Sequence, residues 1–217
     1  FRHPFTSKRP TLNTDYFETF NKKNVRLIDL KENPIVNITK NGIKTKNEEF
    51  KFDKIIFATG YDALSGPILS LNLTGRKNIK LNKYWKNGPI TYLGLMIPNF
   101  PNFFIISGPG SPSVLTNVPV QIQQHVEWIS EFIRYLEKSN SLSVEPEAKE
   151  AENWVKKINT LAKKSLFMKA KNSWYKGDNI PGKPKTFIPY PAGLPQYREI
   201  CNKVRKKMYK GFNISLK

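Results

Sequence analysis

Short apolar segments separated by turn residues fill much of the first third of the chain. Residues 25–28 and 35–39 carry β-branched or apolar side chains at strand-like spacing. Lys40-Asn41-Gly42 then supplies a turn before the next apolar residue, Ile43. This spacing predicts hairpins. Residues 50–58 end in a continuous apolar run, which is typical of a strand that is buried on both faces.

A second apolar segment, residues 103–106, leads into a Gly- and Pro-rich loop at residues 107–113. We expect a strand that ends in a tight loop, because Gly and Pro disfavour a helical continuation. Thr116 or Asn117 can cap the helix that follows, with Pro119 in its first turn. Five apolar residues recur at helical spacing and are expected to form its buried face: Ile122, Val126, Ile129, Ile133 and Leu136. A strand, loop and capped helix in this order is the unit from which α/β sheets build phosphate and cofactor sites.

The rest of the chain divides into a linker, two helices and a long irregular segment. Residues 139–150 are polar and predict a linker, whereas residues 151–169 predict a helix. The expected buried side of that helix consists of Trp154, Val155, Ile158, Leu161 and Ala162. Residues 170–195 hold too many Pro and Gly residues for a helix or a central strand, so we expect a long ordered loop with a functional role. Residues 196–207 predict a terminal helix with a basic surface.

The formal charge of +19 first suggests an anionic partner. Residues 158–217 carry 14 basic and 2 acidic groups, so most of the excess is C-terminal. Only seven of the 36 basic residues are Arg, the side chain that duplex readers favour for bidentate contacts. We therefore interpret the lysines as solvated surface and expect no nucleic-acid partner. A basic module that binds a polyanion stays as an alternative.

Composition also limits the compartment and the chemistry. Cys201 is the single cysteine, which excludes an internal disulfide and makes a reducing, cytoplasmic location the default. No apolar run approaches the roughly 18 residues of a membrane-spanning helix. His3 and His125 are far apart, no Gly-x-Ser-x-Gly elbow occurs, and no ligand cluster predicts a metal. For His125 we expect a hydrogen-bonded structural role.

The dinucleotide fingerprint Gly-x-Gly-x-x-Gly is absent. Gly108-Pro109-Gly110 is followed by Ser113 where a third glycine would stand. Taken alone, this loop is a weak cofactor signal, and Ala58-Thr59-Gly60 reads as an ordinary strand end.

A series of short motifs is more informative when the motifs are taken together and in order. They are Ser7–Pro10, Phe52–Ala63, Gly88-Pro89 with Tyr92–Gly94, Phe100–Asn102, Gly108–Ser113, Gln124–Trp128, Ser173–Tyr175 and Asn179–Lys183. In this order they resemble the C-terminal half of Baeyer–Villiger monooxygenases of the cyclohexanone and phenylacetone type. The resemblance spans nearly the whole chain.

The resemblance implies a flavoenzyme that uses FAD, NADPH and O2 to insert an oxygen atom beside a ketone carbonyl, giving an ester or lactone. It implies an α/β fold made of parts of two Rossmann-like dinucleotide-binding domains. Residues 1–57 would end the NADP domain, and residues 58–217 would form the C-terminal part of the FAD domain. A cofactor-covering loop would lie near residues 170–195.

The same resemblance implies roles for individual residues. Arg9 would be the active-site arginine, because a permanently charged guanidinium can stabilise charge that develops on the substrate oxygen. Lys8 would hold the 2′-phosphate of NADPH. Trp174 would cover the nicotinamide cofactor on the mobile loop, although a core tryptophan is the alternative.

Further residues would lie near the flavin or the substrate. The resemblance places Thr59, Gly60 and Asp62 close to the flavin, where the chain returns to the FAD domain. Val118 would present its backbone N–H to the carbonyl edge of the flavin ring. Ser113, Val114 and Leu115 would line a pocket for a ketone or sulfide of modest polarity.

The nucleotide fingerprints and the Phe-x-Gly-x-x-x-His-x-x-x-Trp motif of the family are missing from these 217 residues. We therefore expect a fragment of a longer enzyme that is inactive without its N-terminal remainder. Two other functions stay open beside the polyanion-binding module: oxidation of N or S atoms by a related flavin monooxygenase, and a structural or regulatory domain that keeps the fold but has lost the nucleotide sites.

Overall fold

The computed structural model describes Pro4, Ser7 and residues 11–216. The chain divides into two compact units, which are described separately. One unit comprises residues 10–60, and the other comprises residues 61–217 together with residues 1–9.

A small antiparallel sheet organises the unit of residues 10–60. Helix α1 (Tyr16–Thr19) precedes strands β1 (Ile35–Thr39), β2 (Gly42–Thr45) and β3 (Glu49–Lys51), which pair in the order β1-β2-β3. The predicted turn before Ile43 is confirmed, since Thr39 pairs with Gly42. A Cβ on Gly42 would lie 1.9 Å from the carbonyl oxygen of Phe50 on β3, so only glycine allows the strands to approach this closely.

Two strand predictions for this unit are wrong. Residues 25–28 have no strand pairing, and β3 ends at Lys51 instead of continuing to residue 58. Ile56 and Phe57 are 90% and 66% exposed. A strand that is buried on both faces needs other elements packed on each face, and among the described residues no strand pairs with residues 53–58.

The larger unit is mainly helical. Its helices are α2 (Gly66–Ser70), α3 (Leu81–Tyr84), α4 (Val118–Lys138), α5 (Ala148–Lys163) and α6 (Gly193–Lys206), with 3₁₀ turns at Arg76–Asn78, Ser113–Leu115 and Leu166–Lys169. Strands β4 (Ser141–Pro146) and β5 (Phe212–Leu216) form an antiparallel ribbon. An aromatic-rich core links α4, α5 and α6, and it includes Trp128, Phe132, Trp154, Tyr197 and Phe212.

Helix α4 begins and ends as predicted, but its buried face differs from the prediction. Ile122, Val126 and Ile133 are 38%, 44% and 40% exposed. The buried side consists of Gln121, Gln124, His125, Trp128, Ile129 and Phe132. The observed buried face is rotated about the helix axis relative to the predicted one. Apolar spacing did not reveal this difference, because the large aromatic rings and the hydrogen-bonding side chains together determine which face packs on the core.

Other predictions have mixed outcomes. Helices α5 and α6 are confirmed, although α5 ends at Lys163 and not at residue 169, and Trp154, Ile158 and Ala162 are buried on α5 as expected. The expected linker at 139–150 instead contains β4, whose partner β5 lies about 70 residues later in the chain. The expected strand at residues 103–106 is reduced to a single bridge between Phe104 and Met96.

Candidate functional site

The loop of residues 107–113, which precedes α4, is fixed by side chains from distant parts of the chain. Thr91 donates its hydroxyl to the carbonyl oxygen of Pro109 at 2.6 Å. Trp154 on α5 donates its indole N–H to the carbonyl oxygen of Gly110 at 2.9 Å. Both bonds are buried, so each carbonyl has a specific partner where water is scarce.

Two glycines allow this loop to pack closely on the preceding segment. Gly94 has a φ of 72°, and a Cβ there would lie 2.4 Å from the backbone nitrogen of Ser111. A Cβ on Gly108 would lie 2.6 Å from the carbonyl oxygen of Gly94. The two backbones therefore touch where no side chain fits.

His125 on α4 connects the beginning of the loop to α6. Its Nδ1 accepts the backbone N–H of Ser107 at 3.0 Å, so Nε2 carries the proton and donates to the hydroxyl of Tyr197 at 3.0 Å. That hydroxyl donates to the carbonyl oxygen of Leu93 at 2.7 Å. Burial lowers the pKa of His125 to about 4, so the imidazole is neutral at pH 7. The expected hydrogen-bonded structural role of His125 is confirmed.

The first turn of α4 leaves one backbone donor available. Asn117 caps the helix by accepting the N–H of Val120 through its side chain at 3.4 Å and the N–H of Gln121 through its carbonyl at 3.1 Å. Pro119 has no N–H. Among the described residues none accepts a hydrogen bond from the N–H of Val118. This donor lies at the positive end of a 21-residue helix, where a carbonyl or anionic oxygen is favoured.

The irregular segment of residues 170–191 packs against the 107–113 loop. The N–H of Ile188 donates to the carbonyl oxygen of Tyr175 at 2.8 Å, and the carbonyl oxygen of Ile188 accepts the N–H of Gly110 at 2.8 Å. Tyr190 donates its N–H to the carbonyl oxygen of Ser111 at 2.7 Å. The segment is therefore ordered although it contains neither a long helix nor a strand, as the sequence predicted, except that residues 193–195 of the predicted range 170–195 belong to α6.

No family model matches the chain. It is 41% identical over 211 residues to cyclohexanone 1,2-monooxygenase of Acinetobacter sp., covering 97% of this chain and 38% of that protein. It is also 41% identical over 204 residues to a Baeyer–Villiger monooxygenase of Pseudooceanicola batsensis, covering 94% of this chain and 37% of that protein. The chain is homologous to part of the Baeyer–Villiger monooxygenases. It spans about 38% of the length of these curated relatives.

Solved Baeyer–Villiger monooxygenase structures match the fold as well. The cyclohexanone monooxygenase from Rhodococcus sp. Phi1 bound to NADP+ is 35% identical, with a TM-score of 0.91 over 97% of this chain and 39% of that chain. The OTEMO complex with FAD and NADP is 34% identical, with a TM-score of 0.91 over 99% of this chain and 39% of that chain. The prediction of a mixed α/β flavoprotein fold is thereby confirmed.

The structure brings several of the predicted site residues into one loop and helix. Ser113, Val114 and Leu115 form the 3₁₀ turn immediately before α4, and Val118 is the first residue of that helix. Ser113 is buried with a φ of 49°, whereas Val114, Leu115 and Val118 are half-buried. Trp174 is half-buried and lies against Tyr175, with their ring centres 4.6 Å apart.

Other predicted residues lie apart from this group or outside the described residues. Thr59 and exposed Gly60 end the unit of residues 10–60, and Gly60 has a φ of 86°. Asp62, in the larger unit, accepts a hydrogen bond from Lys183. Lys8 and Arg9 are outside the described residues.

Sequence reasoning assigned no specific role to Lys183, Thr91 or Trp154 in holding the site. Only for Lys183 did the sequence contain a feature that could have indicated a role, namely the motif Asn179–Lys183. The partners of all three residues are distant in sequence, so only the folded chain shows these contacts.

Among the described residues, the first turn of α4 offers one contact to a nucleotide cofactor. Val118 supplies a free N–H, and the carbonyls of Pro109 and Gly110 are already occupied by protein donors. Within the described residues no group of three His, Cys, Asp or Glu side chains could hold a metal ion. Across the same residues no helix combines the length and apolar character needed to cross a bilayer.

Proposed function

We propose that the protein carrying this chain is a FAD- and NADPH-dependent monooxygenase that inserts one oxygen atom from O2 next to a ketone carbonyl, giving an ester or lactone. The observation that carries this proposal is similarity to ketone monooxygenases along nearly the whole chain. Besides the cyclohexanone enzyme, a cyclopentanone 1,2-monooxygenase of Comamonas sp. is 37% identical over 98% of this chain and 38% of that protein. The N-terminal remainder of such an enzyme would supply the nucleotide motifs that are absent here.

FAD, when bound, would react with O2 after reduction by NADPH. This chain would contribute binding and electrostatics. Arg9 would stabilise negative charge on the substrate oxygen, and Lys8 would bind the 2′-phosphate of NADPH. Val118 would donate its N–H to a carbonyl of the flavin ring, and Trp174 would cover the nicotinamide.

Three more assignments belong to the same proposal. Thr59, Gly60 and Asp62 would lie near the flavin, and Ser113–Leu115 would line the pocket for a ketone or sulfide. Residues 1–57 would end the NADP domain, and residues 58–217 would complete the FAD domain. A cytoplasmic location would suit Cys201, which is a free, buried thiol.

Oxidation of a nitrogen atom is a second candidate, because a phenazine N-monooxygenase of Lysobacter antibioticus is 37% identical over 95% of this chain and 38% of that protein. A polyanion-binding module is less well supported. Part of the C-terminal basic excess is neutralised by acidic residues from earlier in the chain, since Lys183 pairs with Asp62 and Arg205 pairs with Glu131.

A product panel separates these functions. The purified full-length protein that carries this chain is offered NADPH and O2 with cyclohexanone, thioanisole or phenazine, and its products are identified by mass spectrometry. We expect a yellow, FAD-containing protein that forms a lactone. A product from phenazine alone would favour the second candidate. A colourless protein that binds no FAD and forms no product would overturn the proposal.

A further inference from the structure

The tight turn that carries Trp174 is closed by one carboxylate. Asp178 accepts the backbone N–H of Ser173 through Oδ1. Within the turn, the N–H of Lys176 donates to the carbonyl oxygen of Ser173 at 3.0 Å, and the N–H of Gly177 donates to that of Trp174 at 3.3 Å. Gly177 has a φ of 71°, which directs the chain back so that Asp178 reaches Ser173. The residue before Trp174 is thus fixed by a side chain that follows it.

The second oxygen of the same carboxylate forms an ion pair. Lys176 Nζ lies 3.0 Å from Asp178 Oδ2, and the two side chains are only 13% and 11% exposed. Lys176 also donates to the carbonyl oxygen of Met168 at 3.4 Å. Because both charges are largely removed from water, losing either one leaves the other without adequate solvation.

The residue after Trp174 is fixed independently of this carboxylate. The Tyr175 side chain is 2% exposed and packs edge-to-face on Phe167, and the backbone carbonyl oxygen of Tyr175 accepts the N–H of Ile188 at 2.8 Å. Trp174 therefore lies between one residue held by the core and one residue held by Asp178. The core holds Tyr175 by packing, whereas the carboxylate of Asp178 holds Ser173 by a hydrogen bond.

We propose that Asp178 is the positioning residue that sets the orientation of the Trp174 indole. Its carboxylate restrains the backbone on the N-terminal side of Trp174, and Lys176 holds that carboxylate in place. The consequence for nicotinamide binding rests on the proposed function. If Trp174 covers the cofactor, Asp178 orders the indole before the cofactor arrives and lowers the entropic cost of binding.

Three variants separate the backbone hydrogen bond from the ion pair. Asp178→Ala removes both interactions, whereas Asp178→Asn keeps an oxygen that can accept the Ser173 N–H but loses the charge. Lys176→Met removes the opposite charge but keeps the carboxylate, so it measures how far Lys176 holds Asp178 in place. Glu152→Ala, at an exposed position on α5, is the matched control for loss of a carboxylate in the same unit.

The test measures the fluorescence of Trp174 directly and needs no cofactor. The chain has four tryptophans, so each variant is also made with Trp174→Phe, and the difference between the two proteins gives the emission of Trp174. Acrylamide quenching of that emission is measured, with circular dichroism confirming a folded core. We expect Asp178→Ala to raise the quenching constant of Trp174 about twofold or more, since a side chain freed from a fixed turn becomes accessible to solvent.

The relative quenching constants of Trp174 in the variants test the proposal. Asp178→Asn is expected to fall between the wild type and Asp178→Ala, and Glu152→Ala is expected to match the wild type. Unchanged Trp174 quenching in folded Asp178→Ala would overturn the positioning role. So would equal effects of Asp178→Ala and Glu152→Ala. If Asp178→Ala does not fold, the double variant Lys176→Met/Asp178→Ala, which leaves no unpaired buried charge, takes its place, and unchanged quenching in it is the overturning result.

A second measurement tests the link to the cofactor. In the FAD-bound protein, Asp178→Ala is expected to weaken NADP+ binding about three- to tenfold while FAD stays bound. An unchanged NADP+ affinity together with altered Trp174 quenching would overturn the cofactor role and keep the positioning role. A protein that binds neither nucleotide would instead contradict the proposed function, and the quenching result would still decide the role of Asp178.

Discussion

Lys183 donates a hydrogen bond from its ammonium group to the carboxylate of Asp62, 121 residues earlier in the chain. The Lys183 side chain is 11% exposed, whereas that of Asp62 is 41% exposed. Lys183 also donates to the carbonyl oxygen of Ala63 at 3.5 Å. The outer part of the irregular segment is thereby joined to the first residues of the larger unit.

This asymmetry in burial predicts unequal effects of removing the two partners. Asp62→Asn leaves a largely buried ammonium without its counterion, whereas Lys183→Met leaves an exposed carboxylate that water can solvate. We expect Asp62→Asn to release the segment more than Lys183→Met does, and the double variant to lie closer to Lys183→Met than to Asp62→Asn.

The measurement is the rate of tryptic cleavage after Lys185. Lys183 precedes Pro184, where trypsin does not cut, so Lys183→Met leaves the set of cleavage sites unchanged. Cleavage after Lys210, close to β5, serves as the internal control. Equal cleavage rates for the two single variants would contradict the account.

His125 predicts a loss of stability in acid. Its pKa of about 4 in the folded chain lies below the ordinary value of 6.5, so the unfolded state takes up a proton first as the pH falls. The contribution of neutral His125 is complete above about pH 6.5 and is lost as the pH approaches 4, with a total of up to about 3 kcal/mol.

Urea unfolding at pH 7.5, 6 and 5 measures this effect in the wild type and in His125→Gln. The variant is expected to lose less stability between pH 7.5 and pH 5. His3 is present in both proteins, so its titration cancels in the comparison. Parallel pH dependences would show that His125 is not the group responsible.

Asn117, rather than Thr116, is the residue that caps α4. Asn117→Ala removes the acceptor of the Val120 N–H and is expected to lower the free energy of unfolding by about 1 kcal/mol. Thr116→Ala is the matched control and is expected to have a smaller effect. Urea unfolding of the two variants checks the prediction, and equal losses would argue against the cap.

Lys8 provides a test of cofactor choice. If its ammonium binds the 2′-phosphate, Lys8→Ala weakens NADPH binding much more than NADH binding, because NADH lacks that phosphate. The dissociation constants of both cofactors are compared in the FAD-bound protein. An equal loss for NADPH and NADH would remove the assignment.

The sequence predicted the local parts of this structure well. Helix α4, its cap and the irregular segment around Trp174 follow from spacing, a capping residue and Pro and Gly content, which act between near neighbours. Contacts such as Trp154 with Gly110, or His125 with Tyr197, join distant segments and leave no local signal. The exposed Ile122 shows the same limit, since helical spacing defines an apolar stripe but not the neighbour that covers it.

The same distinction between local signals and contacts across the fold applies to the candidate site. The short motifs identified the family, because their order is distinctive even where each motif is common. They placed Val118 at the start of a helix with its N–H towards the flavin, but they did not show that, among the described residues, no acceptor occupies that N–H. That conclusion required the hydrogen bonds of the folded chain.

The most direct test of the central claim follows the oxygen atom. The FAD-bound protein is incubated with cyclohexanone, NADPH and ¹⁸O₂, and the lactone is analysed by mass spectrometry for the wild type and for Arg9→Ala. The account predicts one ¹⁸O atom in the wild-type lactone and no lactone from Arg9→Ala, although NADPH still reduces its flavin. A wild-type protein that consumes NADPH without forming a labelled lactone, or an Arg9→Ala variant that forms it normally, would contradict the account.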